Sequence, residues 1–276
     1  LIHARAVARA AERGVHGAMT YQFLDVADDQ GLLKVTINRP AKRNALSQAV
    51  LGELRQCFES AARRDDLIAA VIRGAGDRCF AAGGDLQEFD GMRSREQAER
   101  IGVDSCAALD AIRHFPVPVV ALLNGDALGG GGELAVACDI RVAANHARIA
   151  FVQGTLNIAP AWGGGMDLMR LVGPAQALRL LCRADLVAVE EALALGLVQA
   201  YCPAGQEFEA WCEDFLAPFR ARKPQVTRAF KALARAQREG LQGEALRKLE
   251  NALLVETWCH ADHWEAHDKV LARISA

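Results

Sequence analysis

Two glycine-rich stretches hold the chemistry this chain can offer. The first is Phe80-Ala-Ala-Gly83-Gly84-Asp85-Leu86; the second is Asn124-Gly-Asp-Ala-Leu-Gly129-Gly130-Gly-Gly-Glu133. Glycine allows unusual backbone angles and lets a peptide N–H approach a ligand with no side chain in the way. Two such turns can aim two amides at one oxygen, the arrangement that a developing oxyanion requires. Glu133 sets a titratable carboxyl group beside that position. The competing reading is a pair of tight strand-to-helix turns with no chemistry, since glycine marks turns of every kind. Other uses of such loops are poorly supported. The chain has no G-x-x-x-x-G-K-[ST], and the glycine spacing is not G-x-G-x-x-G, which argues against a nucleotide loop. It has no G-x-S-x-G either, which argues against a serine acyl-enzyme.

The elements that would hold these turns follow from hydrophobic periodicity. Phe23–Ala27 and Leu32–Ile37 flank Asp28-Asp29-Gln30-Gly31, a hairpin signal. Leu46, Val50, Leu51, Leu54, Phe58 and Ala61 recur at helical spacing, with Ser47 placed to cap. Ile68–Ile72 is a buried strand that leads into the first turn. Gly91–Phe115 is a polar connection followed by a helix, and Val117–Leu123 is a strand that feeds the second turn. Glu133–Cys138 reads as a short buried helix and Ile140–Ala143 as a strand, an order that predicts parallel pairing and an α/β class. Beyond Gly173-Pro174 the texture becomes helical: 175–182, 189–195, a strand at 197–202, then 207–220, 225–238, 244–258 and a last helix. The expected organisation is an N-terminal extension over 1–19, a strand-containing core over 20–203 and a helical region over 204–276.

Composition narrows the function. Apolar residues make up 51% of the 276 and charged residues 24%, an ordinary globular balance with ample core. A net charge of −2 gives no footprint for nucleic acid. The eight cysteines form no C-x-x-C pair and read as buried thiols of a reducing compartment, which suggests a cytoplasmic protein. No apolar run is long enough to span a membrane. Leu1–Ala18 carries Arg5, Arg9 and Arg13 among alanines; we read it as a loose extension ahead of Met19 rather than as a targeting segment. His260, His263 and His267 sit within helical reach of one another. With no H-E-x-x-H and no evident third ligand, they read as an ordinary surface or subunit-contact face rather than a zinc site.

The ordered set Asn38-Arg39-Pro40 with Asn44-Ala45-Leu46, the two glycine turns, and Cys138-Asp139-Ile140-Arg141 resembles the enoyl-CoA hydratase/isomerase (crotonase) family. The match continues through Pro160-Ala-Trp162-Gly-Gly164, Arg170-Leu-Val-Gly173, 192–198 and Glu265-Ala266. The resemblance implies an α/β spiral of ββα units with a helical C-terminal trimerisation region, assembled as a homotrimer or a dimer of trimers. It implies an acyl-CoA substrate and no metal or redox cofactor. By position, the amides of Gly84 and Gly130 would form an oxyanion hole for a CoA thioester, and Glu133 would be an acid/base. Arg43, Ala45, Ala82, Gly84, Asp85, Leu86, Gln87, Gly130 and Trp162 would bind the CoA substrate. For Arg43, a solvated surface position is an equal alternative.

One position departs from the family. Gln153 stands where the hydratases carry a second glutamate, and a glutamine amide cannot move a proton in the working pH range. Asn157 and Trp162 replace the small residues usual in that segment, which implies a reshaped acyl end. The resemblance therefore implies stabilisation of a thioester enolate, with hydration or isomerisation as the leading expectation. Decarboxylation of an alkylmalonyl-CoA, such as ethylmalonyl- or methylmalonyl-CoA, is the alternative within the family. An RNA-binding or scaffolding homologue is the alternative outside enzymology; near-neutral charge argues against it.

Overall fold

The structure is a computed structural model and describes residues 20–274; the N-terminal reading over 1–19 lies outside the described residues. Strand β1 (Leu24–Asp29) pairs antiparallel with β2 (Leu32–Ile37) through a two-residue turn. Both turn residues, Gln30 and Gly31, have positive φ, the geometry that matches strand twist in tight hairpins. Helix α1 (Gln48–Ala61) then packs back on the sheet, its first turn capped by the Ser47 side chain, which accepts from the Val50 N–H.

From β2 onward the large sheet is parallel. Its six strands run β1-β2-β3-β5-β7-β10, with β3 at Ala69–Gly74, β5 at Val119–Leu123, β7 at Ile140–Ala143 and β10 at Ala200–Tyr201. Buried parallel strands read as continuous apolar runs because both faces are covered, and this sheet shows why. Val35, Ile37, Ala70, Ile72, Val119 and Ala121 face a core shared with α1 and α3 (Arg95–Arg113). Their alternates Leu32, Val71, Val120, Leu122 and Val142 face Cys212 and Leu216 of α8 (Phe208–Arg220). The expected strand over 197–202 is shorter in the structure. The amides of Leu197 and Val198 both donate to the Ala192 carbonyl, so the end of α7 (Val189–Ala194) claims them before the sheet can.

A second, four-stranded sheet was not visible in the sequence pattern. Its strands β4 (Cys79–Ala81), β6 (Asp126–Leu128), β8 (Arg148–Ala150) and β9 (Val187–Ala188) are two or three residues long, too short to show alternation. It matters most for function, because the parallel pair β4–β6 ends at both glycine turns. Between and after these strands lie α2 (Leu86–Phe89), α4 (Gly130–Ala137), α5 (Gly164–Val172) and α6 (Pro174–Arg183). The C-terminal helices are α9 (Pro224–Arg238), α10 (Gly243–Trp258) and α11 (Ala261–Ile274). No described helix is long and apolar enough to cross a membrane.

Candidate active site

Strand pairing brings the two glycine turns together. Cys79 registers with Asp126 and Ala81 with Ala127, so the residues that follow β4 and β6 emerge side by side. The approach is too close for side chains. A Cβ on Gly83 would stand 2.9 Å from the Leu128 carbonyl oxygen and 3.3 Å from the Gly130 nitrogen. Gly129 turns the chain into α4 with φ 53° and ψ −116°, a combination that side-chain-bearing residues rarely adopt.

The direction of the Gly84 amide follows from its neighbours. Leu46 N donates to the Gly83 carbonyl at 2.8 Å, and Asp85 N donates to the Leu46 carbonyl at 3.3 Å. In extended backbone the groups of successive residues point to opposite sides, so the Gly84 N–H faces away from Leu46. Gly130 is the first residue of α4, and its N–H is among the amides that a helix start leaves without an intrahelical acceptor. The helix begins three residues ahead of the expected 133–138 span, which puts the positive end of its dipole at Gly130 and Glu133 within its first turn.

Glu133 is 2% exposed and fully engaged. Its Oε1 accepts from Gln153 Nε2 at 2.8 Å, and its Oε2 accepts from the backbone N–H groups of Trp162 at 2.9 Å and Gly164 at 3.0 Å. Burial raises its proton affinity above the ordinary carboxylate range, while the three donors and the nearby Arg113 cation pull the other way. The outcome is a carboxyl group whose pKa lies above the usual value. Gln153 is also buried, held in a short 3₁₀ turn over Val152–Leu156. Its Oε1 has no hydrogen-bond partner among the described residues.

Trp162 forms a wall of the site. A Cβ on Gly130 would lie 2.2 Å from the indole Cζ3, so the ring packs directly on the Gly130 backbone. The other residues expected to bind CoA gather near the first turn. Arg43 is exposed with φ 50°, and its carbonyl accepts from Ala82 N at 3.1 Å. Leu86 is 61% exposed, and the exposed Gln87 accepts a hydrogen bond from Lys42. The Asp85 carboxyl is engaged: Arg39 Nη2 donates to it at 3.0 Å and holds it below the usual range. Arg39 Nη1 also donates to the Ala45 carbonyl at 2.6 Å.

Two asparagines and two arginines in the neighbourhood had no role in the sequence reading. Asn44 donates to the carbonyls of Cys79 at 2.7 Å and Ala75 at 3.0 Å, and accepts from Arg39 N at 3.1 Å. Asn124 accepts from Gly74 N at 2.9 Å and donates to the Gly76 carbonyl at 2.6 Å. Both stitch the loops around β4; in the sequence Asn124 opens the second glycine stretch and Asn44 belongs to the Asn44-Ala45-Leu46 motif, but neither carried a structural role. Arg39 appeared only as a motif position and Arg113 gave no signal, because an arginine in sequence reads as surface. The tail histidines do not converge on one point. His263 stacks near Trp258 at 4.6 Å, and His260 Nδ1 meets Gln225 Nε2 at 3.1 Å. No group of three His, Cys, Asp or Glu side chains among the described residues is arranged to hold a metal ion.

Comparison with known proteins identifies the family. The model of the Enoyl-CoA hydratase/isomerase family matches residues 27–271. A probable enoyl-CoA hydratase of Bacillus subtilis is 34% identical over 203 residues, covering 74% of this chain and 78% of that protein. An ethylmalonyl-CoA decarboxylase of Bos taurus is 31% identical over 233 residues, covering 84% of this chain and 76% of that protein. The crystal structure of an enoyl-CoA hydratase from Bacillus anthracis superposes with a TM-score of 0.85 at 27% identity, covering 91% of this chain and 97% of that one. With its two sheets, its paired glycine turns and its C-terminal helices, the chain belongs to the enoyl-CoA hydratase/isomerase family and has the crotonase fold.

Proposed function

We propose that this protein acts on acyl-CoA thioesters through an enolate, as an enoyl-CoA hydratase or isomerase that works with one carboxyl group. The observation that carries this reading is the meeting of the Gly84 and Gly130 turns beside the buried Glu133. The Gly84 and Gly130 amides hold the thioester carbonyl oxygen. As charge develops there, each donor is worth roughly 3 kcal/mol in the transition state. The dipole of α4 adds to the same field.

Glu133 is the proton carrier. In a double-bond shift, its carboxylate takes the α-proton, the C–H electron pair enters the enolate, and the protonated carboxyl group returns the proton at the γ-carbon. In hydration, water attacks the β-carbon while Glu133 takes one of its protons, and the same carboxyl group delivers that proton to the α-carbon of the enolate. Gln153 orients the water, since its unpartnered Oε1 suits an O–H donor. Trp162 bounds the acyl end, and Arg43, Ala45, Ala82 and 84–87 line the CoA path. The described C-terminal helices α10 and α11 bury none of their residues and expose Leu254, Val255, Trp258, Val270 and Leu271. A homotrimer or dimer of trimers would cover them.

A second reading rests on Gln153, the amide where a second acid would stand. In an alkylmalonyl-CoA decarboxylase, cleavage of the bond to the departing carboxylate supplies the enolate directly, CO₂ leaves, and one acid suffices to protonate carbon. Similarity to the bovine ethylmalonyl-CoA decarboxylase supports it. The test is a side-by-side assay of the full chain with crotonyl-CoA, a 3-enoyl-CoA and ethylmalonyl-CoA. Hydration or double-bond shift, abolished by Glu133→Ala, is expected. CO₂ release with no reaction of either enoyl-CoA would replace the first reading by the second, and inertness toward all three would overturn both.

A further inference from the structure

Arg113 is the last helical residue of α3, and its side chain is only 9% exposed. Burying a guanidinium is costly unless its donors are satisfied, and here they are spent in three directions. Nε donates to Asp167 Oδ2 at 2.8 Å, Nη1 to Asp110 Oδ1 at 2.8 Å, and Nη2 to the Trp162 carbonyl at 2.7 Å. The last contact is on the turn whose two N–H groups hold Glu133. Gly163, at the middle of that turn, has φ 83°, and a Cβ there would sit 2.7 Å from Arg113 Nη2. The guanidinium therefore packs on the turn with nothing between them. The turn lies between a buried cation and a buried carboxyl group, and is bonded to both.

We infer that Arg113 is a positioning residue: its grip on the Trp162 carbonyl fixes the 162–164 turn so that the Trp162 and Gly164 amides meet the Glu133 carboxylate. Its charge acts in the same sense, favouring the ionised form of Glu133 across the turn. The charged groups around Arg113 come from three elements. Asp110 lies on α3 and Asp167 on α5; Arg238 of α9 reaches Asp167 Oδ1 at 2.7 Å, and Arg170 lies 3.5 Å from the same oxygen. The two acids offset the cation, so weakening either one exposes Glu133 to more of its field. This inference rests on the reading of Glu133 as the proton carrier, but its test does not use turnover.

The experiment follows the Glu133 carboxyl carbon by NMR in full-length protein carrying ¹³Cδ-glutamate, with Glu133→Gln to assign the signal. In Arg113→Met the titration midpoint moves up by roughly one pH unit, and the Trp162 and Gly164 amides exchange with solvent at least about tenfold faster as local opening becomes easier. Arg113→Lys, which keeps the charge, restores most of the midpoint. Asp110→Asn carries no risk of burying an unpaired group, since Asp110 is 44% exposed. It moves the midpoint down, a direction that loss of packing alone does not give. If Arg113→Met fails to fold, the downward shift in Asp110→Asn decides. An unchanged midpoint in Asp110→Asn, or an unchanged midpoint with unchanged exchange in folded Arg113→Met, overturns the proposal. Failure of the proposed function would appear separately, as a wild-type protein that titrates normally and turns over none of the three thioesters.

Discussion

The Gln153 amide nitrogen stands 2.8 Å from Glu133 Oε1, in the place where a second carboxylate would meet the first. That single atom type decides how many protons the site can move. Gln153→Glu would put two carboxyl groups at hydrogen-bond distance in a buried pocket, where both cannot be ionised together. One of them must hold a proton at neutral pH, and the site gains a separate general acid. A second positioned acid is worth at least about tenfold on hydration. We expect crotonyl-CoA hydration to rise by about that factor or more and its pH profile to become bell-shaped, both readable in a spectrophotometric assay of the thioester.

The close packing of Gly130 on Trp162 gives a paired prediction. A methyl group at residue 130 lands 2.2 Å from the indole, so Gly130→Ala pushes the ring or the helix start aside. The amide itself survives the substitution. We expect a fall in kcat of about a hundredfold, the size seen when one oxyanion donor is misplaced. Trp162→Ala in the same chain removes the obstruction and recovers much of the loss. A double-mutant cycle on kcat measures the coupling, and additive losses would disprove a steric cause.

Glu133 has a pKa above the ordinary glutamate value because burial outweighs its three donors and Arg113. The folded chain therefore holds a proton that the unfolded chain has released, over the window between those two values. Stability falls as pH rises through that window and levels off above it. Glu133→Gln removes this slope, so urea midpoints of mutant and wild type converge at low pH and separate in favour of the mutant as pH increases. If Glu133 acts as a base, the α-proton exchange rate of a saturated acyl-CoA in D₂O rises with pH across the same window.

Helix α9 is tied to the core by an ion pair whose lysine is buried. Lys231 Nζ donates to both oxygens of Asp139 at 2.6 Å, and Asp139 Oδ2 also accepts from Val119 N at 2.8 Å. Lys231 is 4% exposed. Lys231→Met leaves the partly buried Asp139 carboxylate without its cation, which costs about 2–3 kcal/mol. The check is the urea midpoint at neutral pH. Lys231→Met with Asp139→Asn together is expected to lose less than the single Lys231→Met change.

Burial of the thiols predicts their reactivity. Burial pushes Cys138 and Cys212 up to about 12, and Cys57 and Cys79 up to about 11, whereas Cys182 and Cys259 are exposed. Thiolate is the reactive form. Brief iodoacetamide treatment of the native protein, followed by peptide mass spectrometry, is expected to mark Cys182 and Cys259 first and to leave those four buried thiols unmodified.

The large sheet and most helices were legible in the sequence because their apolar patterns are long enough to carry a period. Ser47 was legible as a cap because serine before a helical stripe satisfies an orphan amide. The small sheet was not, since three residues cannot show alternation, and α5 was masked by the glycines that open it. The glycine turns and Glu133 stood out locally. Their convergence depends on the β4–β6 register, and the engagement of Asp85 by Arg39 depends on a salt bridge spanning 46 residues of chain. Arg113 was not legible for the same reason: its contact with the Trp162 carbonyl spans 49 residues of chain.

Arg238, on α9, donates to the Val136 carbonyl at 2.9 Å and the Ala137 carbonyl at 3.1 Å, closing the negative end of the helix that begins at Gly130. The donor comes 102 residues after Val136 in the chain. The buried Arg141 already donates to the Cys138 carbonyl at 2.8 Å, so Arg238 adds a second cation at this helix end only after every strand of both sheets has been synthesised. A product cut ahead of α9 would lack both Arg238 and Lys231, and with them two polar ties between the core and the C-terminal region.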